Sequence, residues 1–150
     1  MERVYIFDTT LRDGGQTKGV DFSFADKIAI SEALDDLGID YIEGGWPGAN
    51  PTDDKLFGSP PKLKVSNFVA FGMTRRPNTS AANDPGLNAV LSGKSDSVCL
   101  VGKTWDFHVS KALNITLEEN IDMISESVNE INKRGKQALF DCEHFFDGFK

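Results

Sequence analysis

Histidine and cysteine are scarce in this 150-residue chain, with two of each. The histidines are His108 and His144, so there is no His-x-His segment, and the two cysteines lack metal-ligand spacing. No Gly-x-Ser-x-Gly and no Gly-x-Gly-x-x-Gly occurs, which leaves a hydrolase triad or a nucleotide fold without residue support. Cys99 and Cys142 lie in or beside apolar runs and read as buried reduced thiols. Positive charge is also short. Sixteen Lys+Arg against 23 Asp+Glu give a formal charge of -7, which argues against nucleic acid or an anionic membrane as partner. There is no secretory apolar region and no run long enough to span a bilayer, so a cytoplasmic protein is the expectation.

The rest of the composition, 39% hydrophobic and 26% charged, is that of one globular domain with a real core. Strand-like and helix-like segments alternate along its whole length. Val4–Asp8, Tyr41–Glu43, Lys64–Phe71, Ser97–Val101 and Ala138–Cys142 read as strands. Phe24–Leu37 carries Phe24, Ile28, Ala29, Leu34 and Leu37 at helical spacing, with Ser23 and Asp26 as a capping box and Gly38 as a stop. Pro51–Phe57 and Pro85–Leu91 read as short helices capped by Asn50 and Asp84. Thr116–Arg134 is the clearest helix. Thr116 and Glu119 form its capping box, and Leu117, Ile121, Ile124, Val128 and Ile131 its apolar stripe. This alternation predicts a parallel sheet covered by helices. Periodicity leaves two architectures open, a doubly wound sheet or part of a (β/α)8 barrel. A complete barrel needs about 200 residues or more.

Polar clusters fall at the C-terminal ends of the strands. The first gives Asp8, Arg12, Asp13 and Gln16; the second gives Glu43; the fourth gives Lys103, Thr104, Asp106 and His108; the fifth gives Asp141, Glu143 and His144. Parallel strands bring such residues to one mouth, where α/β folds build their sites. Carboxylates there can hold a divalent cation, and a guanidinium can balance negative charge developing on oxygen. Each residue also has a plainer reading. Asp13 before Gly14 can cap a turn, Arg12 can make a structural ion pair with Asp8 or Glu43, and His108 can be a packed aromatic.

Four segments carry a resemblance: Asp8-Thr9-Thr10-Leu11-Arg12-Asp13-Gly14-Gly15-Gln16, Ile42-Glu43-Gly44-Gly45-Trp46-Pro47, Val98–His108 and Phe140–Gly148. They are similar to the signatures of the DRE-TIM metallolyase superfamily, which includes citramalate, isopropylmalate and homocitrate synthases. Gly15 and the Glu-Gly-Gly-Trp-Pro-Gly form resemble the citramalate branch. The resemblance implies that residues 1–150 are the N-terminal portion, about five strands, of a (β/α)8 barrel catalytic domain. It implies an acyltransferase that condenses acetyl-CoA with a 2-oxo acid, pyruvate in the favoured case. Arg12 and Glu143 would be catalytic, Gln16, Glu43 and His108 would bind substrate, and Asp13 would be a ligand of a divalent ion (Mg, Mn or Zn). That site is incomplete here, because the family's His-x-His pair is missing. The fragment alone is therefore expected to be inactive, and a homo-oligomer is expected of the protein. The alternatives are an isopropylmalate or homocitrate synthase, or a non-catalytic binding module that keeps the fold.

Overall fold

The computed structural model describes residues 3–150. Strands β1 (Phe7–Asp8), β2 (Tyr41–Gly45), β3 (Asn67–Met73), β4 (Ser97–Lys103) and β5 (Gln137–Glu143) pair in parallel, in the order in which they occur in the chain. That order decides between the two architectures. A doubly wound sheet reverses direction at a switch point, whereas a barrel adds every strand to the same edge. The sheet curls so far that Gln137 Nε2 on β5 donates to the Tyr41 hydroxyl on β2 at 3.0 Å. The result is a half barrel.

Alternation along the strands separates two faces. Phe68 and Ala70 of β3 and Val98 and Leu100 of β4 join Leu56, Phe57, Leu87, Val90, Leu91 and Ile131 in a core beneath the helices. Val69, Phe71 and Cys99 point the other way, toward the barrel interior. The helices are α1 (Phe24–Leu37), α2 (Pro51–Gly58), α3 (Pro85–Ser92), a short α4 (Asp106–His108), α5 (Leu117–Lys133) and α6 (Phe145–Gly148). None of the described helices is long and apolar enough to cross a membrane.

Local chemistry explains most boundaries. Ser23 and Asp26 form the expected capping box, and Gly38 ends α1 at φ +85°. Asn50 and Asp84 cap α2 and α3, each followed by proline at the first helical position. Four expectations need correction. Only Phe7–Asp8 of Val4–Asp8 pairs as strand; Val4 is 84% exposed, and the Ile6 N–H is held by the Asp40 side chain at 2.9 Å. The third strand starts at Asn67, not Lys64, because Asp35 captures the backbone N–H groups of Lys64, Val65 and Ser66 at 2.8–3.0 Å. Glu119 does not close a capping box on Thr116. Its carboxylate accepts from Arg75 instead, at 2.9 Å. Cys142 is exposed, because it lies on the outer face of β5, the last strand of the sheet, whereas Cys99 is buried as expected.

The apolar stripes also differ. The buried face of α1 is Lys27, Ser31 and Asp35, and that of α5 is Asn120, Met123, Ser127 and Ile131. Leu37, Leu117 and Ile121 face solvent. Both helices turn polar side chains inward because those side chains hold backbone groups beside them, as Asp35 does for 64–66 and Asn120 does for the Lys103 carbonyl at the end of β4.

Candidate active site

The loop after β1 is wound tightly onto one carbonyl. Thr9 O accepts from the N–H groups of Arg12, Asp13 and Gly14 at 3.2, 2.9 and 3.1 Å, and the buried Leu11 anchors the turn. Asp8 is committed to the same turn, accepting from the Thr10 N–H and hydroxyl at 3.0 Å each. The winding aims Arg12 at β2. Its Nε donates to Glu43 Oε2 at 2.7 Å, its Nη1 reaches Asp13 Oδ1 at 3.3 Å, and its guanidinium carbon lies 3.9 Å from the Phe71 ring centroid. A planar cation gripped on its edge and stacked on its face has little freedom to turn.

Glu43 is 1% exposed. Burial pushes its carboxyl above the usual value; Arg12 pulls it back, while Asp141 and Asp13 push it further up. A cavity of about 360 Å³ opens here, lined by Phe7, Thr9, Arg12, Glu43, Cys99 and Asp141 among others. Burial raises the Cys99 thiol to about 12, with Glu43 and Asp141 adding to the effect. Cys99 is thus an inert wall of that cavity at neutral pH.

Arg12 also borders a second groove of about 280 Å³, with Gln16, Phe22, Lys27, Trp46 and Asp53. Gln16 therefore belongs to this outer groove and not to the cavity that holds Glu43. His108 and Glu143 form a third group, at the ends of β4 and β5. Glu143 pairs with Lys103, and its backbone carbonyl accepts from the Thr104 hydroxyl at 2.6 Å. The His108 ring packs on Trp105 and His144, with centroids 4.9 and 4.4 Å away, and its buried Nδ1 finds no partner among the described residues. His144 Nδ1 lies 3.2 Å from Asp147 Oδ2. The structure thus joins Arg12, Asp13 and Glu43 and leaves Gln16, His108 and Glu143 on neighbouring walls.

A divalent ion fits poorly with what is present. Asp13, 60% exposed at its side chain, and Asp141, in the cavity, offer carboxylates at the mouth, but among the described residues no three His, Cys, Asp or Glu side chains gather to hold a metal.

The buried Lys27–Asp53 pair and the Arg75 pairs with Glu119 and Glu126 lie outside the residues expected from the sequence. For the first a signal existed: Lys27, Ser31 and Asp35 are polar residues repeating every four positions in α1, which marks one helix face. Asp141, at the end of its strand as expected, shares the cavity with Glu43.

Consecutive parallel β/α units with charged groups at the C-terminal mouth are the architecture of a TIM-type barrel, of which this chain forms part. The HMGL-like family matches residues 3–148, and the chain belongs to that family. An (R)-citramalate synthase of Aquifex aeolicus is 51% identical over 99% of this chain and 29% of that protein. One of Sulfolobus acidocaldarius is 45% identical over 98% of this chain and 28% of its own length. A 2-isopropylmalate synthase of Buchnera aphidicola is 35% identical over 95% of this chain and 27% of its own. The chain thus spans less than a third of these relatives. Among solved structures, the hydroxymethylglutaryl-CoA lyase of Pseudomonas aeruginosa superposes with a TM-score of 0.71 at 16% identity, covering 92% of this chain and 45% of that one. This likeness shows the fold.

Proposed function

We propose that the chain is part of an acetyl-CoA-dependent acyltransferase acting on a 2-oxo acid, with pyruvate as acceptor and (R)-citramalate as product. The observation that carries the reading is Arg12, held by Glu43 and Phe71 at the mouth of a half barrel. The identity of 51% and 45% to (R)-citramalate synthases, against 35% to a 2-isopropylmalate synthase, supports pyruvate over a bulkier 2-oxo acid.

In such a condensation the acetyl methyl loses a proton, and its carbon attacks the ketone carbon of the 2-oxo acid. The ketone oxygen takes the charge and then a proton, and water cleaves the thioester to release CoA. Arg12 would stabilise the oxygen that becomes negative, because a fixed donor needs no reorganisation when charge appears. Glu43 keeps Arg12 in that orientation. Gln16, in the adjoining groove, and Glu143 and His108, on the β4–β5 side, are the further groups assigned to substrate and catalysis. Asp13 is assigned to a divalent ion, with Mg, Mn and Zn equally compatible with one carboxylate, and no step is derived through it. We read the full protein as a cytoplasmic homo-oligomer whose partners are small molecules, neither nucleic acid nor membrane.

The test is CoA release by the full-length protein with acetyl-CoA and either pyruvate or 2-oxoisovalerate. Pyruvate-dependent release that is lost in Arg12→Ala is expected, and residues 1–150 alone should be inactive. Release with 2-oxoisovalerate alone would make it an isopropylmalate synthase. Release with neither would leave a binding module.

A further inference from the structure

Strand β2 ends in an irregularity. Its register against β3 shifts between Glu43 and Gly45, so Gly44 is an inserted residue. A β-bulge of this kind re-aims the side chains beside it, and here the neighbour is Glu43, the partner of Arg12. Something must fix the bulge, because its backbone has left the ladder.

A buried ion pair does so. Lys27 of α1 donates from Nζ to the Gly44 carbonyl at 2.9 Å and to Asp53 Oδ1 of α2 at 2.5 Å. Asp53 Oδ2 accepts from the Trp46 N–H and from Asn50 Nδ2, at 2.9 Å each. Lys27 and Asp53 are 6% and 5% exposed. At Gly45, with φ +152°, a Cβ would fall 2.5 Å from the Asp53 carboxylate, so the backbone runs directly over the pair. Taking two charges out of water roughly cancels what their attraction returns, so such a pair adds little net stability over well-packed apolar residues. What it provides is geometry. Four hydrogen bonds tie α1, α2 and the end of β2 into one unit, one residue away from Glu43.

We propose that Lys27 and Asp53 are positioning residues for the Arg12–Glu43 pair: they fix the bulge at Gly44 and thereby the orientation in which Arg12 meets the cavity. The consequence for turnover rests on the role given to Arg12 above. The geometric claim does not, and it can be read without any substrate.

The experiment is modification of arginine by phenylglyoxal in the full-length protein, with Arg12 and Arg134 quantified by peptide mass spectrometry. Arg134, 36% exposed at its side chain, serves as internal reference against Arg12 at 17%. The variant is K27M/D53L, which removes both charges together and so leaves no unpaired buried ion. The ratio of Arg12 to Arg134 labelling should rise roughly tenfold, as for loss of one hydrogen bond to a charged group. E43Q should raise it similarly. K64M, which breaks the exposed Lys64–Asp36 pair, should leave it as in the native protein. An unchanged ratio in a K27M/D53L protein with native circular dichroism overturns the proposal. If that variant does not fold, D53N is read the same way: a raised ratio supports the positioning role and an unchanged one overturns it. A protein inactive in the CoA assay that still shows the rise would refute the acyltransferase reading and leave the positioning role standing.

Discussion

Arg12 Nε and Glu43 Oε2 lie 2.7 Å apart, joining the loop after β1 to the end of β2 with the carboxylate almost wholly buried. Removing only the cation leaves that buried carboxylate unpaired. Arg12→Ala should therefore destabilise the fold by about 3 kcal/mol, whereas R12M/E43L, lacking both charges, should recover most of the loss. Urea denaturation of the three proteins measures this, and equal losses in the single and double variants would contradict it. Under the proposed acyltransferase function, both variants of the full-length protein should lower CoA release by roughly 10²–10³-fold, because both lack the fixed donor.

Two carboxylates should give opposite pH dependence. Glu43 has a folded pKa above its ordinary value, chiefly through burial, so the folded state holds its proton more tightly than the unfolded state. Its contribution is present below the unfolded value and is lost as pH rises through the folded one; E43Q should remove that decline. Asp35 is the reverse. Backbone N–H groups, that of Lys64 foremost, hold it far below the carboxylate range. Its contribution is present above the unfolded value and is lost as pH falls toward the folded one. D35N should lower stability at neutral pH and flatten acid unfolding, as followed by urea midpoints from mild acid to neutral pH.

How far the fold could be read beforehand depended on whether the deciding contact was local. Capping by Ser23, Asn50, Asp84 and Thr116 involves residues three apart, and all four side chains accept the expected bond. The inward faces of α1 and α5 depart from the apolar stripes because Asp35 and Asn120 serve backbone groups distant in sequence, which outweighs hydrophobic periodicity. The Arg12–Glu43 contact could be raised only as one option for Arg12, since it depends on two strands standing side by side. Asp141 and Glu43 were expected at one mouth and share the cavity there, whereas the grouping of Gln16 with Lys27 and Trp46 was not legible. It follows from the curl of the sheet and the turn at Thr9.

With Asp13 and Asp141 exposed at the mouth and no set of three ligands gathered among the described residues, the chain on its own should bind divalent ions weakly. Calorimetric titration of residues 1–150 with Mg, Mn or Zn is expected to show no site tighter than about 0.1 mM, the range of sparsely liganded carboxylate sites. A tighter site abolished by Asp13→Asn would show that the chain completes its own coordination.

The two thiols should separate cleanly in residues 1–150. Cys142 is exposed, while Cys99 is buried with its thiol raised to about 12. The nucleophile in disulfide exchange is the thiolate, so at neutral pH one equivalent of a thiol reagent should react with the folded chain and a second only after denaturation. Intact mass after brief labelling reports the count, and C142S should abolish the first adduct.

Two glycines offer a test of the backbone at the site. Gly45 combines φ +152° with a Cβ position 2.5 Å from the Asp53 carboxylate, so Gly45→Ala incurs both backbone strain and displacement of a buried ion. The expected loss is about 3 kcal/mol, the sum of a disfavoured dihedral and disturbance of the network. Gly58, the last residue of α2, has an ordinary φ and nothing within 4 Å of an added Cβ. There the same change restricts only the unfolded chain and should stabilise by about 0.5 kcal/mol. If both variants shifted the denaturation midpoint alike, the close approach at Gly45 would be wrong, and with it the bulge geometry that aims Glu43 at Arg12.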